Sequence, residues 1–249
     1  MKALNPPKLA RRWFTAVSRR NDRLYPSRLS GRFYALTTMR SHVEVIINAF
    51  LAHRPDLSLV DFGCGRQPYR PILEPYVGQY IGVDLPGNEH ADSYVSPNGT
   101  VPLGDGFADI VLSTFVLEHV DNPLGYLREC YRILKQNGLL VLSAPGYWAY
   151  HPDPTDFWRW TSSGLKKIVE ASGFRLVQMR GIMGLGATAV QLFQDAAMGR
   201  VPRFVRPVFV LIAQSVIELI DRLYTPSKRS KDACLYVAVA SKEKPTQVV

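Results

Sequence analysis

Leu59-Val60-Asp61-Phe62-Gly63-Cys64-Gly65 runs from a short apolar stretch into a pair of glycines, and Tyr80-Ile81-Gly82-Val83-Asp84 repeats the pattern but ends in an acid. Short apolar runs that stop at glycine or a polar residue read as strands buried on both faces. Working outward, Ser93-Tyr94-Val95, Asp109 to Thr114, Leu139 to Ala144, Phe174 to Arg180 and Leu235 to Ala240 read as further strands. Leu124 to Leu134 sets Leu124, Leu127, Tyr131 and Leu134 on one helical face, with Asn137-Gly138 as its cap. Ser162 to Ser172 reads as another helix, ended by Gly173. Strands alternating with helices predict an α/β fold with a mainly parallel sheet covered on both faces. Ligands of such sheets sit beyond the carboxyl ends of the strands. Chemistry is therefore expected at Gly63–Gly65, at Asp84, at Thr114-Phe115 and from Pro145 onward.

The chain has 249 residues, 47% of them hydrophobic, and a mean hydropathy of −0.05. That composition excludes disorder as the main state, and the length suits one large or two small domains. No apolar run reaches the roughly 18–20 residues that cross a bilayer. The net charge of +9 invites a nucleic-acid reading, but its distribution argues otherwise. Residues 1–58 carry +8, residues 59–182 carry −3 and residues 183–249 carry +4. The basic flanks are thus separate from the mildly acidic centre, and Ser113-Thr114-Phe115-Val116 stands where a base-binding Asn-Pro-Pro-Tyr type of motif would be expected. Cys64, Cys130 and Cys234 form no Cys-x-x-Cys pair, which predicts neither a disulfide framework nor a metal site and suits a reducing, cytoplasmic compartment.

Residues 1–58 read as a basic helical N-terminal extension. Lys8 to Arg20 places Leu9, Trp13, Phe14 and Val17 among arginines, a pattern that fits packing on the domain, a membrane surface or a transit peptide. A second helix is expected from Thr38 to Ala52. Residues 59–249 read as the α/β domain, with a helical insertion at 183–232.

A strand, a Gly-x-Gly turn and an acid closing the next strand make a nucleoside site. Glycine lets a ligand approach the backbone, and Asp84 can accept hydrogen bonds from ribose hydroxyls. A dinucleotide needs free N–H groups at the following helix start to hold its pyrophosphate. Pro68 and Pro71 remove donors there. S-adenosylmethionine has no phosphate and is cationic, which suits Asp61 and the acidic centre.

Val60–Gly65, Gly82-Val83-Asp84, Phe107–Val111, Leu117-Glu118-His119-Val120 and Tyr131–Leu140 resemble class I S-adenosylmethionine-dependent methyltransferases, nearest to the type 11 branch. The resemblance covers about Leu59 to Arg180. It implies a Rossmann-like seven-stranded sheet whose last strand is antiparallel. It also implies S-adenosylmethionine as cofactor, with Asp61, Gly63, Cys64 and Gly65 at its methionine end, Asp84 and Leu85 at its ribose, and Thr114 and Phe115 on its inner side. Two departures stand out: Gln67 takes a common third-glycine place, and the loop before Pro102 has no acid at the usual adenine-contacting place, which leaves Asn98 as the candidate for adenine.

The segment Pro145 to Trp160 is rich in aromatic and charged residues at a ligand-binding edge. Its His-Pro-x-Pro-x-Asp-aromatic-Trp-Arg run resembles a methyltransferase subgroup linked to glycan or envelope biosynthesis. Tyr147, Trp148, Asp153, Trp158 and Arg159 are candidate acceptor contacts. His151 and Asp156 are candidate general bases for an acceptor hydroxyl, although Asp156 with Arg159 also reads as a structural pair. His119 reads as structural or beside the cofactor. The expected activity is O-methylation of a small, saccharide or lipid-linked acceptor. The rival is a catalytically idle S-adenosylmethionine-binding scaffold at a membrane. In the insertion, Glu218 and Asp221 make a spanning helix costly. Flanking arginines and Lys228-Arg229-Ser230-Lys231 fit an anionic membrane surface. Substrate cover or dimer contact is the other reading, and the oligomeric state stays open.

Overall fold

The computed structural model describes residues 21–51 and 56–243. Seven strands form one sheet: β1 (Ser58–Phe62), β2 (Gln79–Asp84), β3 (Ser93–Tyr94), β4 (Ala108–Thr114), β5 (Leu134–Pro145), β6 (Arg175–Gly184) and β7 (Ala233–Ser241). Their order is β3-β2-β1-β4-β5-β7-β6. β7 is antiparallel to both neighbours, and the other pairings are parallel. The expected α/β sheet with an antiparallel last strand is therefore present.

Successive strand residues point to opposite faces, and both faces are apolar. Leu59, Ile110, Leu112, Val141 and Leu235 enter one core. Val60, Val111, Leu140, Leu142 and Tyr236 enter the other. Burying each such side chain contributes about 1.5–3 kcal/mol. The second core is covered by α3 (Pro123–Ile133) and α4 (Ser162–Ala171), after the short α2 (Arg70–Leu73). Both covering helices start on sequence-readable caps: Asn122 Oδ1 accepts from Gly125 N–H at 3.0 Å and Thr161 Oγ1 from Gly164 N–H at 3.0 Å.

Helix α1 (Phe33–Ile46) covers the first core and begins earlier than the expected Thr38. Its buried residues Ala35, Met39, Val43 and Ile46 keep helical spacing, so the stripe that fixes the helix starts before Thr38. A π-helical turn, Ile47–Leu51, follows. The amphipathic stretch Lys8 to Arg20 lies outside the described residues. The Asn137-Gly138 pair is the second difference, because it lies inside β5 and caps no helix. Leu134 already pairs with Ala108, and Asn137 N–H donates to Lys242 O at 2.8 Å while Gly138 O accepts from Lys242 N–H at 3.0 Å. Those partners lie over a hundred residues away and replace the local cap.

The insertion folds as α5 (Leu185–Ala197), α6 (Arg206–Arg222) and α7 (Pro226–Lys231). No helix among the described residues is long and apolar enough to cross a membrane. Asp221, read as a charge that makes a spanning helix costly, is buried. Its carboxylate accepts from Gly184 N–H at 2.7 Å and Tyr34 Oη–H at 2.8 Å, and pairs with Arg229 at 3.0 Å. Gln191, Gln194 and Gln214 are buried too, and all three amides donate to Gly31 O. The insertion thereby clamps the start of α1 against the sheet.

Candidate active site

A cleft of about 1080 Å³ opens at the carboxyl ends of β1, β2, β4 and β5. At one end the chain turns sharply after β1. Gly63 has φ +77°, and a Cβ there would collide with the Val116 side chain. Gly65 has φ +53° and open space where a Cβ would sit. Its N–H donates to Asp84 Oδ2 at 2.6 Å. Asn88 Nδ2 donates to the same oxygen at 2.8 Å, and Leu85 N–H donates to Oδ1 at 2.7 Å. Each carboxylate oxygen has about two lone-pair sites, so Oδ1 keeps one open at the cleft wall. Gln67, in the third-glycine place, adopts φ +52°, the conformation a glycine would take.

Gly63, Gly65, Asp84, Leu85, Asn98, Thr114 and Phe115 all line this cleft. Asn98 turns its Oδ1 onto Thr100 N–H at 3.1 Å. Phe115 has φ +57°, held by Ser143, whose carbonyl and hydroxyl oxygens both accept its N–H. Such strain in a non-glycine residue concentrates at ligand sites. Asp61 and Cys64 are buried and do not reach the cleft surface. Asp61 Oδ2 accepts from Tyr80 Oη–H at 2.6 Å, and Oδ1 has no partner among the described residues. Burial pushes the Asp61 carboxyl up to about 7, against the Tyr80 bond that favours the ionised form. Burial likewise pushes the Cys64 thiol up. These two shape the floor of the turn from below.

In the segment after β5, Trp148, His151 and Asp153 line the cleft, whereas Tyr147, Asp156, Trp158 and Arg159 do not. The physical reason is that those side chains are already engaged. Arg159 grips Asp156 through two bonds of 2.6 Å and donates to the Trp148 and Ala149 carbonyls. That pair holds the Asp156 carboxyl down at about 2, which makes it a poor proton acceptor. Asp156 acts instead on His151, whose backbone N–H it accepts at 2.8 Å. Trp158 donates its indole N–H to Val120 O at 2.8 Å and stacks on Trp160. Tyr147 turns toward Asp232.

Two contributors to the cleft escaped sequence reasoning. Glu118, inside the Leu117-Glu118-His119-Val120 motif, is fully buried, with no hydrogen-bond partner for either carboxylate oxygen among the described residues. Burial raises its carboxyl to about 7. His119 and His151 both direct Nε2 toward Glu118 Oε1, each at 3.9 Å. The segment before and within α1 is the other: Asp22, Arg23, Ser30, Arg32, Ala35 and Leu36 form the facing wall. Arg23 stands over Phe115 and Arg32 over Trp148, at 5.5 and 5.1 Å from the ring centres. No local pattern marks these residues as cleft wall, because the insertion sets their position.

A cleft with a glycine cradle, the Asp84 carboxylate at the end of the next strand and no N–H at Pro68 fits a nucleoside ligand without phosphate. A family model described as a methyltransferase domain matches residues 35–179. A Mycolicibacterium smegmatis protein named "Probable S-adenosylmethionine-dependent methyltransferase" is 23% identical over 150 residues, which span 53% of this chain and 58% of that protein. The chain thus spans little more than half the length of that relative. Among solved structures, a SAM dependent methyltransferase from Archaeoglobus fulgidus has a TM-score of 0.53 at 18% identity, covering 92% of this chain and 99% of its own. The [4+2]-cyclase SpnF has a TM-score of 0.55 at 17% identity, covering 87% and 85%. The last likeness shows that the fold alone does not select the reaction. The family match covers more than half of the chain and includes every cleft-lining turn from β1 to β5, so the chain belongs to the methyltransferase-domain family, whose cofactor is S-adenosylmethionine.

Proposed function

We propose that this chain is an S-adenosylmethionine-dependent methyltransferase acting on a hydroxyl oxygen of a small-molecule acceptor. The observation that carries the reading is one continuous cleft with the Asp84 ribose carboxylate at one end and Trp148, Glu118, His119 and His151 at the other. When bound, the cofactor supplies a sulfonium methyl, so that transfer breaks an S–CH3 bond, forms an O–CH3 bond and returns the electron pair to sulfur. The protein's own part is positioning, exclusion of water and removal of the acceptor's proton. Gly63 and Gly65 admit the ligand to the backbone, and Asp84 holds the ribose. The wall from Asp22 to Leu36 narrows access to water. Glu118, His119 and His151 form the polar apparatus beside the acceptor, with His151 oriented by Asp156 and Arg159.

The finer reading is an acceptor that is saccharide or lipid-linked, met at an anionic membrane surface. Val208, Leu211, Ile212, Val216, Leu219 and Leu223 stand exposed along one side of α6 and its end, next to Phe193 and Phe204. Arg200, Arg203 and Arg222 are exposed beside them. An apolar stripe rimmed by arginines matches an interface of acyl chains and anionic headgroups.

The test is calorimetry with S-adenosylmethionine, followed by incubation of methyl-labelled cofactor with glycan and lipid extracts and mass analysis of products. His151→Ala is expected to lower turnover about 10²–10⁴-fold while cofactor affinity stays unchanged. Absence of cofactor binding by the folded protein refutes the reading. Binding without label transfer to any extract favours the idle scaffold instead.

A further inference from the structure

We propose that Glu118, His119 and His151 form a binding site for one divalent transition-metal cation at the acceptor end of the cleft. One potential ligand atom from each residue lies within 4.8 Å of the other two. Metal bonds of about 2.0–2.2 Å put neighbouring ligand atoms roughly 3.0–3.5 Å apart. The three groups therefore need to close by about 1 Å, which small side-chain rotations supply.

The hydrogen bonds around the cluster point to a cation. His119 Nδ1 faces the Thr155 carbonyl oxygen, and His151 Nδ1 faces the Ala149 carbonyl oxygen at 3.0 Å. A carbonyl only accepts, so Nδ1 carries the hydrogen in both rings, and each neutral imidazole keeps its lone pair on Nε2. Those lone pairs converge on Glu118, whose two oxygens lack a hydrogen-bond donor among the described residues. With Glu118 ionised, three acceptors face one another around a common point, the arrangement in which a cation replaces repulsion with three bonds.

The cluster is also held from outside. Glu118 O accepts from Phe157 N–H at 2.8 Å, and Thr155 Oγ1–H donates to His119 O at 3.0 Å. These bonds tie the turn Leu117–His119, which follows β4, to the loop carrying His151. Asp156 Oδ2 lies 3.4 Å from His151 Nδ1, the carboxylate–imidazole arrangement that orients metal-bound histidines. Two imidazoles and one carboxylate favour zinc, cobalt, iron or manganese over magnesium, which prefers oxygen ligands and water. All three residues line the cleft, so the remaining coordination positions face the acceptor. There a bound hydroxyl has its pKa lowered and releases its proton to solvent, with His151 serving as ligand. This catalytic meaning rests on the proposed function; the binding of metal does not, and it is measured without cofactor or acceptor.

The experiment uses the tag-free full chain stripped by a chelator, titrated with Co²⁺ by visible absorption and with Zn²⁺ by calorimetry, and with Mg²⁺ as comparison. One equivalent of Co²⁺ and of Zn²⁺ is expected, with Mg²⁺ weaker. His119→Gln and His151→Gln, each checked for folding by circular dichroism, should weaken both transition metals by more than about 10-fold. No Co²⁺ or Zn²⁺ binding by the folded wild type overturns the proposal. So does binding that neither histidine variant weakens. Calorimetry of the stripped protein with S-adenosylmethionine separates the two ideas, since its failure refutes the function and leaves the metal result standing.

Discussion

Asp61→Asn should change how the stability of this protein depends on pH. The Asp61 carboxyl is 1% exposed, and burial raises it to about 7, against about 3.9 in an unfolded chain. Between these values the folded state holds a proton that the unfolded state has released. The stability from this group is therefore fully present below about pH 3.9 and is lost as pH rises through about 7. From pH 5 to pH 8 roughly two units of that range are crossed, which makes the loss on the order of 3 kcal/mol. Asparagine does not titrate, and its Oδ1 can still accept the Tyr80 hydroxyl. Urea denaturation of wild type and variant at pH 5 and pH 8 gives four stabilities. Wild type should lose on the order of 3 kcal/mol more than Asp61→Asn over that interval, a relative midpoint shift on the order of 1 M urea. Glu118 also titrates in this range, but it is present in both proteins and cancels in the difference. The same pH dependence in both proteins would refute the reasoning.

Asp84→Ala should weaken S-adenosylmethionine binding by roughly 10- to 150-fold, the loss of one hydrogen bond to a charged acceptor worth about 1.5–3 kcal/mol, as read by calorimetry. An affinity within threefold of wild type would remove Asp84 from the ribose site. Leu219→Glu, at a position 64% exposed on α6, should abolish flotation with anionic vesicles without moving the melting temperature. If wild type itself fails to float with anionic or neutral vesicles, the membrane surface is discarded.

The cofactor half of the cleft was largely legible in the sequence because its parts are backbone devices. Gly63 and Gly65 are needed where the chain turns at positive φ, and Asp84 closes an apolar run that pairs in parallel beside β1 and so ends at the same sheet edge. The acceptor half was legible only as a composition. Asp156 and His151 stood together in the sequence as candidate bases, and it is the alternative reading of Asp156 with Arg159 as a structural pair that the ion pair matches. The cap predicted at Asn137-Gly138 failed because a distant backbone at Lys242 supplied the partners.

The family resemblance supplied the antiparallel last strand, and by itself the sequence determined the α/β sheet and a turn after β1 that lacks the N–H donors a phosphate needs. The sheet and the turn depend on side-chain period, glycine conformation and missing proline N–H groups, all of which act within a few residues. Only the tertiary structure decided which polar groups meet. Glu118 and His119 face His151 from 33 and 32 residues away in the chain, and the wall from Asp22 to Leu36 is set by glutamines 160 to 183 residues from Gly31. Burial and mutual distance set the charge state and ligand capacity of such groups, and those quantities arise only when the chain has closed on itself.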